Sequence, residues 1–220
     1  MTDTAFDEEL VRVGETILKL DTNAAIDGHD DLDVYRDMDV VFTDPKTNAK
    51  LFVGNVRAAS SRETLRRCGV RVIVNAQGLA STNFFPNDEE ISYVRFPIAF
   101  WRTELFGKSH EQVVSYFQPL FDSIDQALAR GDSVLVHCLA GAHRAATTAA
   151  AYLRHRIALK PEDAQLFLRR RRPIVELLPG LFEVLLVLDA ALNAVNAAAT
   201  TTTTTAATTE PAPHPQKAAL

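Results

Sequence analysis

The sequence predicts a single compact α/β domain, a central and mostly parallel twisted sheet flanked by helices. Three observations carry that prediction. Short runs rich in Val and Ile alternate with stretches whose apolar residues recur every three or four positions, the patterns of strands and amphipathic helices in turn. A length of 220 residues with 47% hydrophobic content suffices for one sizeable core plus ends. The apolar run Val134-Leu135-Val136 passes through a short glycine-containing turn into an alanine-rich helix, the strand-turn-helix unit of such sheets.

Residues 1–37 read as an acidic extension containing a helix, because Phe6, Leu10, Val13, Ile17 and Leu20 repeat at helical spacing. The acidic residues Asp30, Asp31 and Asp33 read as solvated loop rather than as a metal site. The main domain spans 38–195 and opens with strands at 40–42 and 51–53, joined by the turn Asp44-Pro45-Lys46-Thr47-Asn48. Ser60 with Glu63 reads as a capping box opening a short helix that Gly69 closes, followed by strands at 70–74 and 91–96. Ser109 with Gln112 is a second capping box, and Val114, Phe117, Phe121, Ile124 and Leu128 then mark one face of a long helix. Pro119 lies inside it, which predicts a kink or a restart.

The strand at 133–136 leads to Cys138, and a helix over 145–157 leads away from it. Pro161 opens the next helix, toward Arg170, and Pro179 the last, which carries Leu181, Val184, Leu185, Leu188 and Leu192. The remainder, 196–220, is rich in Thr, Ala and Pro and nearly free of large apolar residues, so it is predicted to be disordered.

Composition narrows the function. A net charge of −5 argues against nucleic acid as a partner. Cys68 and Cys138 are the two cysteines, giving neither a disulfide framework nor a metal-ligand cluster, which fits a reducing compartment. Without a long uninterrupted apolar run or a signal-peptide pattern, the expectation is a cytoplasmic protein with no membrane partner. Nothing in the sequence sets an oligomeric state.

The chemistry concentrates in His137-Cys138-Leu139-Ala140-Gly141-Ala142-His143-Arg144. A cysteine is a nucleophile as its thiolate, and an anion there needs compensation close by. A turn between a strand end and a helix start aims backbone N–H groups into one cradle suited to a dianion. Gly141 lets the backbone curl, and Arg144 supplies a planar fork for two phosphoryl oxygens. Leu139, Ala140, Gly141, Ala142, His143 and Arg144 are therefore the candidate phosphate-binding residues, with His137 beside the thiolate.

These residues resemble the His-Cys-x5-Arg signature of the cysteine-dependent phosphatases. Further similarities over about 38–193 point to the compact dual-specificity branch: Leu51-Phe52-Val53-Gly54-Asn55, Gly69-Val70-Arg71-Val72-Ile73-Val74-Asn75, the stretch 93–98, and Ala164 with Arg172-Pro173-Ile174 beneath the pocket. The resemblance implies phosphomonoester hydrolysis in phosphorylated proteins through a cysteinyl-phosphate on Cys138. Arg144 and the loop amides would hold the phosphoryl oxygens, with no metal and no cofactor.

Two departures bear on activity. Where the family places an acidic Asp, this chain reads Pro97-Ile98-Ala99-Phe100-Trp101-Arg102-Thr103-Glu104, so Glu104 is the nearest candidate acid, its alternative being a solvated loop carboxylate. Asp88 lies in the preceding loop. Ala145 stands where most members carry Ser or Thr, and Thr147 and Thr148 nearby read as helix surface or packing. These departures keep open a phosphate-binding pseudophosphatase. Ala140-Gly141 and Ala145 also resemble the plant-type glucan phosphatases, which keeps open a phosphoglucan substrate. Phe100 and Trp101 are either an apolar substrate wall or loop anchors, His143 a hydrogen-bonded loop histidine or an added positive charge, and Cys68 a structural thiol. The run Arg169-Arg170-Arg171-Arg172 reads mainly as helix-end cations. Asp125 and Asp132 read as surface charges.

Overall fold

The computed structural model describes residues 2–24 and 36–206. Five strands, β1 (Met38–Thr43), β2 (Lys50–Gly54), β3 (Val70–Asn75), β4 (Ser92–Arg95) and β5 (Ser133–His137), form one sheet in the spatial order β1-β2-β5-β3-β4. The β1–β2 hairpin is antiparallel and the other pairings are parallel. The mostly parallel sheet expected from the alternating pattern is therefore present, with β5 at its centre.

A central strand is covered on both faces, which is why the β5 run is apolar throughout. Successive side chains alternate between the two faces. Val134 and Val136 join a core shared with Phe117, Phe121, Tyr152 and Leu188, while Leu135 joins Phe52, Ile73 and Leu65 on the other face. The first core lies under α5 (His110–Ala129), α6 (Arg144–Ile157) and α8 (Pro179–Ala206).

The short helices depart from the sequence reading. Asn55 caps an unanticipated helix, α2 (Val56–Ser60), its Oδ1 accepting from the Ala58 amide at 2.9 Å. That start consumes Ser60 as a helical residue, so the next cap falls to Ser61, whose hydroxyl accepts from Thr64 N at 3.3 Å and opens α3 (Arg62–Arg67). Gly69, at φ +65°, follows α3 as expected. A 3-10 turn at Ile98–Phe100 and the short α4 (Trp101–Leu105) occupy the segment that the sequence leaves as loop.

The Ser109–Gln112 capping box forms in full at the start of α5. Pro119 neither ends nor restarts that helix. It sits on the exposed face beside Ser115, where a carbonyl that loses its helical partner faces water. After α7 (Pro161–Arg169), α8 continues through Ala206, so 196–206 are helical instead of disordered. Alanine is the strongest helix former, and the Thr200 hydroxyl donates to the Asn196 carbonyl at 3.0 Å. Residues 207–220, like Asp30, Asp31 and Asp33, lie outside the described residues. By length and composition 179–200 could cross a membrane, yet Leu181, Val184, Leu185, Leu188 and Leu192 pack into the main core.

Asp125 is more than a surface charge. It accepts the Tyr152 hydroxyl at 2.7 Å, and burial together with that bond pushes the phenol well above its usual range. Asp132 pairs with Arg130 at 3.0 Å near the surface. The expected N-terminal helix is α1 (Asp3–Ala24), which packs by Leu10 into the main core.

Candidate active site

The site grows out of the C-terminal end of β5. Parallel pairing with β2 and β3 fixes His137 opposite Gly54 and Asn75, and the chain then turns through 138–143 before α6 begins at Arg144. Gly141 makes the turn possible. It stands at φ +69°, and a Cβ there would lie 2.5 Å from the backbone carbon and oxygen of Gly54. Gly54 is equally constrained, since its own Cβ would meet Met38 Cβ at 2.8 Å and the Asp37 carbonyl at 2.9 Å. Two glycines thus let the loop settle onto the end of β2.

The loop carbonyls are held from behind. Arg172, 1% exposed, donates from Nε to the Gly141 carbonyl at 2.8 Å and from Nη2 to Ala140 at 3.1 Å. Its Nη1 donates to the Asp39 carboxylate at 2.7 Å and the Arg36 carbonyl at 2.9 Å. The Glu176 amide donates to the Ala142 carbonyl at 3.1 Å, and His143 Nδ1 donates to the Glu176 carbonyl at 2.9 Å. His143 is accordingly a hydrogen-bonded loop histidine. With carbonyls turned toward the 172–176 segment, the opposite edge of the loop presents amides. One of them, Gly141 N–H, donates to Cys138 Sγ at 3.3 Å.

The site's electrostatics come from backbone and arginine. His137 is fully buried, and its ring nitrogens meet no hydrogen-bond partner among the described residues. Burial lowers its pKa to about 4, partly opposed by the Cys138 backbone and reinforced by Arg95 and Arg144. The ring is a neutral packing element and lends Cys138 no positive charge near neutrality. Arg144 is 2% exposed at the first turn of α6. Ala145 is buried behind it. The Thr147 hydroxyl donates back to the His143 carbonyl at 3.0 Å and Thr148 to the Arg144 carbonyl at 2.9 Å, so both hydroxyls serve the helix.

The facing wall brings fewer of the expected residues together. Trp101 is an anchor, with Nε1 donating to the Gly180 carbonyl at 2.9 Å and its ring under the Arg102 guanidinium. Phe100 is half-buried against the main core. Glu104 is exposed, and no described hydrogen bond joins it to Cys138 or Arg144; its charge instead contributes to the raised pKa of Tyr116. Asp88 is committed to an ion pair with Arg62. Cys68 is the C-cap of α3 and packs against the cluster of Leu65, Val70 and Ile73.

Another carboxylate reaches the site, which the sequence reading passed over. Asp7 of α1 forms an ion pair with Arg144 Nη1. Its signal is the i, i+4 pair Asp3 and Asp7 beside the apolar stripe at Leu10, acidic residues on the edge of a buried face. Among the described residues, no group of three or more His, Cys, Asp or Glu is arranged to hold a metal ion.

Comparison with known proteins points the same way as this geometry. Residues 51–190 match the family described as dual specificity phosphatase, catalytic domain. Dual specificity protein phosphatase 9 of Homo sapiens is 32% identical over 123 residues, 56% of this chain and 30% of that protein. Dual specificity phosphatase 28 of Homo sapiens is 28% identical over 144 residues, 66% of this chain and 76% of its own length. A crystal structure of human dual specificity phosphatase 28 in a single-substitution form superposes with a TM-score of 0.55 at 26% identity, covering 72% of this chain and 98% of that one. The chain therefore spans less than a third of the first relative and about three quarters of the second.

Proposed function

The chain belongs to the dual specificity phosphatase family, and from that premise we propose that it hydrolyses phosphomonoesters on phosphotyrosine, phosphoserine or phosphothreonine of protein substrates. The observation that carries the proposal is the Gly141 amide on Cys138 Sγ, one helix start away from the buried Arg144.

In the proposed first step the Cys138 thiolate attacks phosphorus in line with the leaving oxygen. An S–P bond forms, the P–O ester bond breaks, and the leaving oxygen takes the electron pair. The equatorial oxygens are received by the loop amides of 139–144 and by the Arg144 fork, fixed donors that need no reorganisation as charge shifts. In the second step water attacks phosphorus, the S–P bond breaks with its electron pair returning to sulfur as the thiolate, and inorganic phosphate leaves carrying the oxygen and the protons of that water. No described carboxylate stands hydrogen-bonded over Cys138. The first step therefore favours leaving groups that depart with little protonation, such as aryl oxides; an absent general acid costs about 10²- to 10⁴-fold on alkyl esters.

A second reading, a phosphate-recognising pseudophosphatase, draws on two features: the buried, hydroxyl-free Ala145 and an exposed Glu104 that no described hydrogen bond joins to Cys138 or Arg144. Hydrolysis of a fluorogenic aryl phosphate across pH 5 to 8, with orthovanadate binding measured in parallel, separates the two. Turnover that disappears in Cys138→Ser while vanadate still binds the wild type supports the enzyme. Vanadate binding with no turnover above the Cys138→Ser background supports the pseudophosphatase. A panel of phosphotyrosine, phosphoserine, phosphothreonine and phosphoglucan substrates then ranks the substrate classes. We extend the proposal to location, as a cytoplasmic enzyme whose thiol requires reducing surroundings.

A further inference from the structure

The ion pair between Asp7 and Arg144 joins α1, which lies outside the matched residues 51–190, to the phosphate cradle. Asp7 engages Nη1 alone. Nε and Nη2 of Arg144, the edge that offers two parallel donors, have no partner among the described residues. Asp7 likewise accepts no hydrogen bond from the loop amides. A carboxylate imitating a bound phosphate would sit inside the cradle and take those amides. Here the carboxylate pairs with Nη1, and among the described residues neither the loop amides nor Nε and Nη2 donate to it.

Independent features hold Asp7 in that place. Asp3, one helical turn earlier and 7% exposed, accepts from Thr103 N at 2.8 Å and Thr103 Oγ1 at 2.7 Å, fastening α1 to α4. Leu10, 1% exposed, anchors the following turn in the core. On the other side stands Gly78. Its φ lies outside the left-handed region, so backbone conformation does not require glycine; space does, because a Cβ there would lie 2.6 Å from Asp7 Oδ2. The loop carrying Gly78 is itself tied down, with Arg95 Nη1 donating to the Gly78 carbonyl at 3.1 Å and to Ser81 Oγ at 2.8 Å.

We infer that Asp7 is a positioning residue for Arg144 and that α1 is a working part of the phosphate site; the inference rests on the phosphatase reading above. An arginine side chain has several rotatable bonds, and a guanidinium fixed before the ligand arrives spends no binding free energy on being ordered. The Asp7 contact supplies that order through Nη1, with Nε and Nη2 outside the pair.

The test uses the full chain with Asp7→Asn, Asp7→Glu, Gly78→Ala, Arg144→Lys and the double variant Asp7→Asn/Arg144→Lys. Orthovanadate Kd and the KM and kcat for a fluorogenic aryl phosphate are measured for each. Asp7→Asn, and Gly78→Ala by pushing the carboxylate aside, are expected to weaken vanadate about tenfold and to raise KM more than they lower kcat, the loss of one charge-assisted contact. Asp7→Glu is expected to recover part of the loss, and the double variant to bind vanadate no worse than Arg144→Lys alone. Tighter vanadate binding or faster turnover in Asp7→Asn would overturn the inference and make the carboxylate a competitor of phosphate. A fall in kcat with a lost basic pH limb and unchanged vanadate affinity would overturn it in favour of a proton donor. Additive losses in the double variant would reduce α1 to a structural support. Wild-type protein that binds vanadate without turnover would remove the phosphatase reading while the vanadate measurements still decide on Asp7; wild-type protein that binds no vanadate would remove both.

Discussion

The loop from Cys138 to Arg144 and the wall facing it are held by different means. Behind the loop lie the central strand β5, the glycine contact with β2 and the buried Arg172, all within the sheet and its immediate support. The wall, α4 with α1 laid against it, is held by contacts between residues far apart in the chain, such as Asp3 with Thr103, 100 positions apart, and Trp101 with Gly180, 79 apart. The cradle is thus a contiguous segment locked into the core, whereas its cover is an assembly of separate pieces. The consequence is that phosphate recognition should tolerate little change on the cradle side, while the leaving-group side can vary in how it is built.

Gly141→Ala should break the cradle most severely. The new methyl would meet backbone atoms of Gly54 that have no flexible end to move, at a φ that already disfavours a side chain. Displacing the loop removes the amide donor from Cys138 Sγ, and loss of one such preorganised donor costs about 10²- to 10³-fold in turnover. Aryl phosphate hydrolysis read alongside circular dichroism checks this: a folded variant within about threefold of wild type would show that the cradle is softer than its contacts imply.

Arg172→Met tests the support behind the loop. It strips the hydrogen bonds from the Ala140 and Gly141 carbonyls and removes the 2.7 Å cationic partner of Asp39, leaving among the described residues the longer 3.9 Å approach of Arg36. Breaking a buried ion pair from one side typically costs about 3 to 5 kcal/mol. Urea denaturation should show a loss in that range with vanadate affinity reduced as well. A loss below about 1 kcal/mol, the scale of an exposed pair, would place Arg172 outside the loop's foundation.

His137 makes the cradle side sensitive to pH. Its folded-state pKa, lowered to about 4 by burial, lies beneath the ordinary histidine value of 6.5. The unfolded chain therefore binds the proton first. The contribution is fully present above pH ~6.5 and is lost as pH falls toward ~4, on the order of 3 kcal/mol across that window. Denaturation at pH 7 and pH 4.5 should show the loss, and His137→Gln, which cannot titrate, should flatten it. An equal pH dependence in the variant would assign the effect to other groups.

The same contrast governs what the sequence made legible. Cys138, Gly141 and Arg144 could be read directly, because strand, turn and helix follow one another without interruption and the chemistry is written in residue spacing. Gly54 and Arg172 could be placed only through the resemblance. The exposed setting of Glu104, the shift of the cap from Ser60 to Ser61 and the passage of α5 through Pro119 depend on neighbours that local patterns do not specify. Asp7 was hidden for the same reason. Its partner lies 137 residues away, and an acidic residue in an acidic helix carries no local mark of being needed.

Glu104→Gln sharpens the contrast from its weakest side. The carboxylate is exposed on α4, and the group that registers it is Tyr116, whose pKa burial pushes up to about 12 with added contributions from Glu104 and Asp3. Removing that charge should bring the Tyr116 titration down, because the ionised phenolate would face one anion fewer. Turnover of an aryl phosphate should stay within about twofold, far from the roughly 10²-fold or greater loss that removal of a general acid produces. Ultraviolet titration of the tyrosines together with the pH profile of kcat checks both halves. A lost basic limb in the kcat profile would mean that α4 swings Glu104 over Cys138 during turnover, and the separately built wall would then be the part of the site that moves.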